Sequence, residues 1–435
     1  MRLNYGRTLL LGLAFCGVQV LFAIYNAYMP IILQSGRPDF AAPAAIPGGF
    51  GLDAGLTGLI MSLENMAALL ILPFIGALSD ATASRLGKRK PYLLIGAPIT
   101  AAAFAGLPLM LGQPLWLFLP VAFVFIIAVD VIRTPIAALM PDITPSHLRS
   151  QANGLINVMG GLGGVLAFVV GGALFRESVA APFAFGAAAL VIGCLVVVAL
   201  VPVPSSLDLP RPQGGLAAHA RAALSTESGV IGELRVLAAG RDRSPLLLLG
   251  AIFFVFVAYG ALTVFFTSFA TDTLQVPRGT EAQLLTWFAL TFLVAALPAG
   301  LLSGRLGRRR VSVAGTLVLL TACVVIGLSS DLWLIRGMLV VAGIGWALVG
   351  INALPMVLDC NPAGAGRIGV YAGIYYLATQ AADVFGPTII GMLIDLSGRN
   401  YRTLFIYIVV ALTASALLML RVRRGEALPA VPASA

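Results

Sequence analysis

Residues 76–91 read GALSDATASRLGKRKP, and residues 300–310 read GLLSGRLGRRR. Both carry G-x-L-S followed by R-L-G-[KR]-R-[KR], and both lie between long apolar runs. Basic clusters recur in the loops of many membrane proteins. A shared six-residue block in the same setting is a stronger sign, and it marks an internal duplication. The repeat predicts a chain built as two like halves.

Composition agrees. Of 435 residues, 59% are hydrophobic and 10% charged, too few charges to cover a soluble protein of this length. An apolar run of about 20 residues crosses a bilayer. Twelve such runs can be read: 8–33, 57–79, 92–112, 115–141, 150–174, 182–203, 244–269, 282–303, 311–329, 333–357, 368–393 and 402–421. Segments 115–141 and 150–174 carry polar residues and are the least obvious by hydropathy. The stretch 204–243, rich in Pro, Gly, Arg and Ser, divides six spans from six. The expected architecture is therefore all-α. Two six-helix transmembrane bundles, residues 1–203 and 244–435, are joined by a cytoplasmic linker at 204–243, and a short tail ends the chain. Arg2 and Arg7 precede an apolar stretch from Thr8 to about Leu33. It is too long for a signal-peptide core and reads as an uncleaved first helix.

Basic residues set the orientation. With the N-terminus inside, the inner loops hold about twenty Arg and Lys, including the 85–90 and 305–310 clusters, and the outer loops about six. Both termini and the linker are expected to be cytoplasmic, in a cell membrane. The net charge of +9 could suggest nucleic acid, but the cations sit between apolar runs rather than on one face of a soluble domain. Cys16, Cys194, Cys323 and Cys360 form no motif, so neither a disulfide framework nor a metal site is expected. The two histidines, His147 and His219, fall in loops, and no HExxH, GxSxG or Walker loop is present. No enzyme and no cofactor is expected. A receptor or scaffold would have no need of buried acids in duplicated bundles. Gly160 and Gly164, in the run Gly160–Gly164, form a small-xxx-small pair expected to let helix backbones approach.

A charge at bilayer depth costs about 2.5–3.5 kcal/mol and survives only beside a partner or water. Glu64, Asp130, Arg133 and Asp383 stand out on this ground. Asp130 and Arg133 are three apart, share a helix face and are expected to pair. A guanidinium and burial pull a carboxyl's protonation in opposite directions, so such an acid can respond to how its cavity opens. Tyr376, Gln380 and Asp383 make one polar stripe on the eleventh span, suited to a water-filled cavity and, through Tyr376, to a sugar ring. Gln19 and Asn26 share a face of the first span beside Tyr25, and Asn352 is a further candidate on the tenth. Helix packing is the competing reading of these residues, and the functional one is preferred.

Six spans plus six, with the repeated loop between the second and third of each half, resemble the major facilitator superfamily. Ser79-Asp80 and the basic cluster match its signature loop, although the second copy has no acid after Ser303. The block SDATASRLGKRKPYLLIG is similar to the glycoside–pentoside–hexuronide:cation symporters, and within them to the sucrose:proton symporters. So are Gly17-Val18-Gln19, Asn26-Ala27-Tyr28-Met29-Pro30, Glu64-Asn65 before Pro73 and Pro135-x-x-Ala138-Leu139-x-Pro141-Asp142. In the second half, Gly343-Ile344-Gly345-Trp346-Ala347, Gly373-Ile374-Tyr375-Tyr376 and Gly386-Pro387 also fit.

The resemblance implies a secondary active transporter working by alternating access around a midplane site. It would carry a sugar or glycoside, disaccharide-like, by proton symport. A proton-coupled antiporter or exporter of another small solute or drug is the alternative, which the polar stripes disfavour. The partners would be the substrate, protons and the lipid bilayer, with the protein a monomer. The resemblance places Glu64 and Asn65 in the central cavity. It makes Ser79, Asp80, Arg85, Arg89, Arg305 and Arg309 a cytoplasmic gate. Proton coupling falls to Asp130, Glu64 or Asp383, and Arg133 binds substrate. There is one departure. Aligned on Pro135 and Asp142, the family's coupling acid would fall at Ile126 and its sugar-binding arginine at Ala137. Asp130 and Arg133 supply an acid and a base about one turn away, so sucrose itself does not follow.

Overall fold

The computed structural model describes residues 4–37, 40, 46–80, 82–144, 148–203, 205, 234–237, 242–360 and 368–425. Among them are twelve long helices. The first six are α1 (Tyr5–Gln34), α2 (Ala54–Asp80), α3 (Lys90–Gly106), α4 (Leu115–Ile143), α5 (Arg149–Glu177) and α6 (Ala180–Leu200). The rest are α7 (Ser244–Asp272), α8 (Thr280–Leu306), α9 (Arg308–Leu328), α10 (Leu332–Asp359), α11 (Ile368–Leu396) and α12 (Thr403–Arg421). They follow the expected spans to within a few residues. Most of 204–243, with His147, His219 and Arg367, lies outside the described residues.

Local chemistry starts the helices. The Asn4 side chain accepts the Arg7 N–H at 3.1 Å to cap α1, and Asp331 accepts the Trp333 N–H at 2.8 Å to cap α10. Pro91 stands in the first turn of α3, where its missing N–H costs nothing. A helix satisfies its own backbone, which is what hydrocarbon demands.

Among the described residues, eleven helices are individually long and apolar enough to cross a membrane. α2 makes the twelfth when its two parts, Ala54–Leu69 and Phe74–Asp80, count as one span bent by 43°. Pro73 lies in that bend, and a proline offers no amide hydrogen to the preceding turn. The expectation that 115–141 and 150–174 are the weakest spans is corrected. α4 is among the most apolar, since Asp130 and Arg133 interrupt a helix otherwise rich in Leu, Ile, Val and Phe. The least apolar of the eleven is α11, which carries the Tyr376–Asp383 stripe.

Packing repeats with the sequence. α3 packs against α4 and α6, and six helices later α9 packs against α10 and α12. α1 is the axis of the first half and lies along α5 and α6. The glycine that seats α5 on α1 is Gly163, not the expected Gly160 and Gly164. A Cβ on Gly163 would come within 2.5 Å of the Cys16 carbonyl oxygen, whereas Gly160 meets the Gln19 side chain and Gly164 meets nothing within 4 Å. Of the pair, Gly160 meets α1 only through a side chain and Gly164 faces away from it.

The chain forms two compact units. The first comprises residues 1–225, 263–289 and 391–401, so it holds α1–α6, the end of α7, the start of α8 and the end of α11. The second comprises 226–262, 290–390 and 402–435.

Candidate functional site

The repeated turn owes its sequence to its backbone. Gly87 has φ +83° and Gly307 φ +92°, the left-handed region that only glycine enters freely. Each amide closes its turn at 3.1 Å, Gly87 onto the Ser84 carbonyl and Gly307 onto the Ser303 carbonyl. In the first copy Arg89 is buried. Its guanidinium donates to the Ser79 hydroxyl, to Asp80 and, at 3.1 Å, to Asp142 at the end of α4. Lys90 donates to the Val198 carbonyl of α6 at 2.8 Å. In the second copy Arg308 holds Asp359 at the end of α10, and Arg309 donates to the Leu420 carbonyl. Each copy thus ties its turn to an acid at the end of the fourth helix of its half, with Arg89 in one and Arg308 in the other. Arg85 and Arg305 are exposed.

Within the first unit, Glu64 of α2 meets Arg133 of α4, and Phe22 of α1 lies beside them. Arg133 Nη1 lies 3.3 Å from Glu64 Oε1, with the Glu64 side chain 7% exposed and that of Arg133 38%. The guanidinium lies 5.1 Å over the Phe22 ring, a contact worth about 0.5–2 kcal/mol. The expected Asp130–Arg133 pair is not formed. Asp130 is 0% exposed, and neither of its carboxyl oxygens has a hydrogen-bond partner. The reason is reach: the short aspartate keeps its carboxyl among the core side chains of α4, while the long arginine crosses to α2. There it compensates a buried carboxylate that would otherwise stand alone. Gln19 is exposed, and Asn26 and Asn65 are half-buried. Tyr25 is fully buried against Phe125, ring centroids 5.2 Å apart, and belongs to the packing.

Within the second unit, Tyr376 is 57% exposed and stands edge-on to Tyr375, while Gln380 and Asp383 are half-buried. Gly260 of α7 admits Asp383, whose Oδ1 would lie 3.0 Å from a Cβ at that position. Beside the stripe is an aromatic group that sequence reasoning missed. Tyr259 stacks on Trp346 at 4.1 Å and 5°, and Phe256 stands edge-on to Trp346 and to Tyr375. Trp346 lies inside the quoted 343–347 block, but nothing in one sequence says that Tyr259 faces it. Asn352 donates to Ser303 Oγ at 2.7 Å and to the Leu348 carbonyl at 2.8 Å, which commits its amide to packing α10 on α8.

The first unit also contains a polar latch at the helix ends opposite the basic turns. Gln34 donates to Ser268 at 3.0 Å and accepts from Tyr401. Asp395 accepts the N–H groups of Ala54 at 3.1 Å and Gly55 at 2.6 Å, so α11 caps α2. Arg176 donates to Gln283, and Arg278 covers the Phe175 ring at 4.9 Å. Glu281 is buried with Oε1 on the Gly279 N–H and Oε2 unpartnered. Burial pushes the Tyr401 hydroxyl well above its ordinary pKa, so it remains a donor. Glu281 was not singled out from sequence because it sits at the very start of its span. No group of three or more His, Cys, Asp or Glu able to hold a metal occurs among the described residues.

Twelve apolar helices in a duplicated arrangement, with charged groups among them, define an integral membrane protein. The family model described as the Major Facilitator Superfamily matches residues 9–282 and 248–435, and the chain belongs to that superfamily. Human proton-associated sugar transporter A is 28% identical over 178 residues, covering 37% of this chain and 21% of that protein. Human solute carrier family 45 member 3 is 26% identical over 319 residues, covering 65% of this chain and 55% of that protein. The chain thus spans about a fifth of the length of the first relative and about half of the second. A crystal structure of the nucleoside transporter NupG shares the fold, with TM-score 0.71 over 96% of this chain and 100% of that one at 13% identity.

Proposed function

We propose that the protein is a proton-coupled symporter of a sugar or glycoside, disaccharide-like, in a branch near the glycoside–pentoside–hexuronide symporters. The observation that carries this is the trio Glu64–Arg133 with Asp130, three ionisable groups on two helices in which the one cation is held by Glu64 and the second acid is left unpaired. An ionised carboxylate without a partner is costly in such a site. Asp130 is therefore read as carrying a proton in this state, while Glu64 holds Arg133. Loss of that proton would draw Arg133 one helical turn toward Asp130, releasing Glu64 and rearranging whatever Arg133 binds. This gives protons and solute a common switch. The relatives' names, a proton-associated sugar transporter among them, support the substrate class.

Gln19, Asn26, Asn65 and Arg133 would offer hydrogen bonds to hydroxyls. Tyr376, Gln380 and Asp383 would do the same in the second unit, with Tyr25 and Asn352 as supports. Residues 1–203 and 244–435 would be the two moving bundles and 204–243 their tether, with both termini and the basic turns on the cytoplasmic side of a cell membrane. Ser79, Asp80, Arg85, Arg89, Arg305 and Arg309 would set the rate of cycling there. The protein would work as a monomer.

The test is a thermal-shift screen of mono- and disaccharides and glycosides on purified protein at two pH values, since a ligand stabilises the state it binds. One sugar class should stabilise, with a size of shift that depends on pH. Stabilisation by nucleosides or amphiphilic cations, and by no sugar, would reject the reading.

A further inference from the structure

Two of the four cations in the turn after α2 are internal struts, Arg89 on its acids and Lys90 on the α6 carbonyl. The other two are not. Arg85 is exposed, Lys88 is half-buried, and neither has a partner among the described residues. The nearest acid in sequence, Asp80, is already held by Arg89. Beside this turn runs a groove of about 560 Å³ between α3 and α4. Its walls are apolar, formed by Ile95, Ile99, Val124, Ile127 and Val131. Its end at the turn carries Thr82 and Tyr92, whose hydroxyls meet at 2.8 Å. Ile95 is 65% exposed, and Ile99 and Val124 are each 48% exposed. On a membrane span, exposed aliphatic side chains face lipid.

We propose that this groove is a site for one anionic glycerophospholipid. An acyl chain lies between α3 and α4, and the phosphate is held by Arg85 and Lys88. The groove descends from Pro91 to Ile99, roughly 12 Å of helix rise, which takes much of an acyl chain. Charge complementarity decides the headgroup. Two cations without acidic partners, on the short turn between the lining residues Thr82 and Pro91, match an anionic phosphate whose tail enters the groove, and an uncharged amphiphile would leave them unmatched.

The test is made on the full chain in nanodiscs of phosphatidylcholine, with or without a minority of phosphatidylglycerol. The readings are lipid retained after detergent extraction, by native mass spectrometry, and the thermal unfolding midpoint. The wild type should retain phosphatidylglycerol in preference to phosphatidylcholine and gain stability from it. Arg85→Gln with Lys88→Gln should cut that retention by about tenfold, because two charge-assisted contacts are lost. Val131→Phe should cut it as strongly by filling the groove with the cations intact. Each variant is referred to its own midpoint in phosphatidylcholine, so a general loss of stability is recognised. Soluble glycerol phosphate should give no shift. Equal retention of the two lipids by the wild type, unchanged retention in either variant, or a full shift from glycerol phosphate alone would overturn the site.

Discussion

At the scale of single residues, the Glu64–Arg133 contact has unequal ends. Glu64 is almost enclosed and Arg133 is not, so removing one partner is not equivalent to removing the other. Arg133→Gln leaves a buried carboxyl without its cation, and should cost about 1–3 kcal/mol. Glu64→Gln leaves a half-exposed guanidinium that water can serve, and should cost less. Thermal unfolding in detergent checks the order, and equal losses would mean the contact contributes little. In the second unit, Gln380→Ala should weaken binding of an identified ligand by about 1–3 kcal/mol if it holds a substrate hydroxyl. Calorimetric titration measures this, and an unchanged dissociation constant would assign the stripe to packing. These residues were legible because charge and amide groups are rare in apolar spans. Their partners were not. Helical spacing put Asp130 and Arg133 on one face, but side-chain length sent the arginine to another helix. Phe22, Tyr259 and Trp346 look like ordinary lipid or core aromatics until the fold sets them beside the polar groups.

At the scale of elements, the repeat was legible for a backbone reason. A turn that needs positive φ keeps its glycine, and so Gly87 and Gly307 anchor the shared block. Gly87→Ala and Gly307→Ala should each destabilise. The α5 glycines give a sharper contrast. Gly163→Ala drives a methyl into the Cys16 carbonyl, while Gly164→Ala meets open space and relieves a helix of a glycine worth about 0.5–1 kcal/mol. Unfolding midpoints should fall for the first and hold or rise for the second. The sequence marked the glycine run but not which member faces α1, because that depends on the rotation of α5. Arg89 is similar: its cluster was visible, while its three ties within one half depend on where α2 and α4 end. Arg89→Gln should slow transport turnover several-fold with little change in substrate affinity, since none of its partners is in the Glu64–Arg133 group.

At the scale of the whole molecule, twelve spans in two like sets follow from hydropathy and the repeated turn, and the helix ranges agree with that count. The latch in the first unit was invisible, because it joins residues far apart in the chain, such as Gln34 to Tyr401 and Asp395 to Gly55. Asp395→Asn removes a charge from the α2 N-terminus, an interaction of about 1 kcal/mol, and so should raise local opening of these contacts roughly fivefold. The four native cysteines are buried, so a cysteine placed at Gln283 can report the change by its labelling rate with an impermeant maleimide. An unchanged rate would mean that the latch is not what limits opening. The central claim, that protons and a sugar share one switch at Asp130, is tested most directly in proteoliposomes under an imposed pH gradient. The measurement is accumulation of the stabilising sugar by the wild type and by Asp130→Asn, with sugar exchange at equal pH as the control. The account predicts gradient-driven accumulation in the wild type and its loss in Asp130→Asn, with exchange retained. Accumulation against a concentration gradient by Asp130→Asn, equal to that of the wild type, would contradict it.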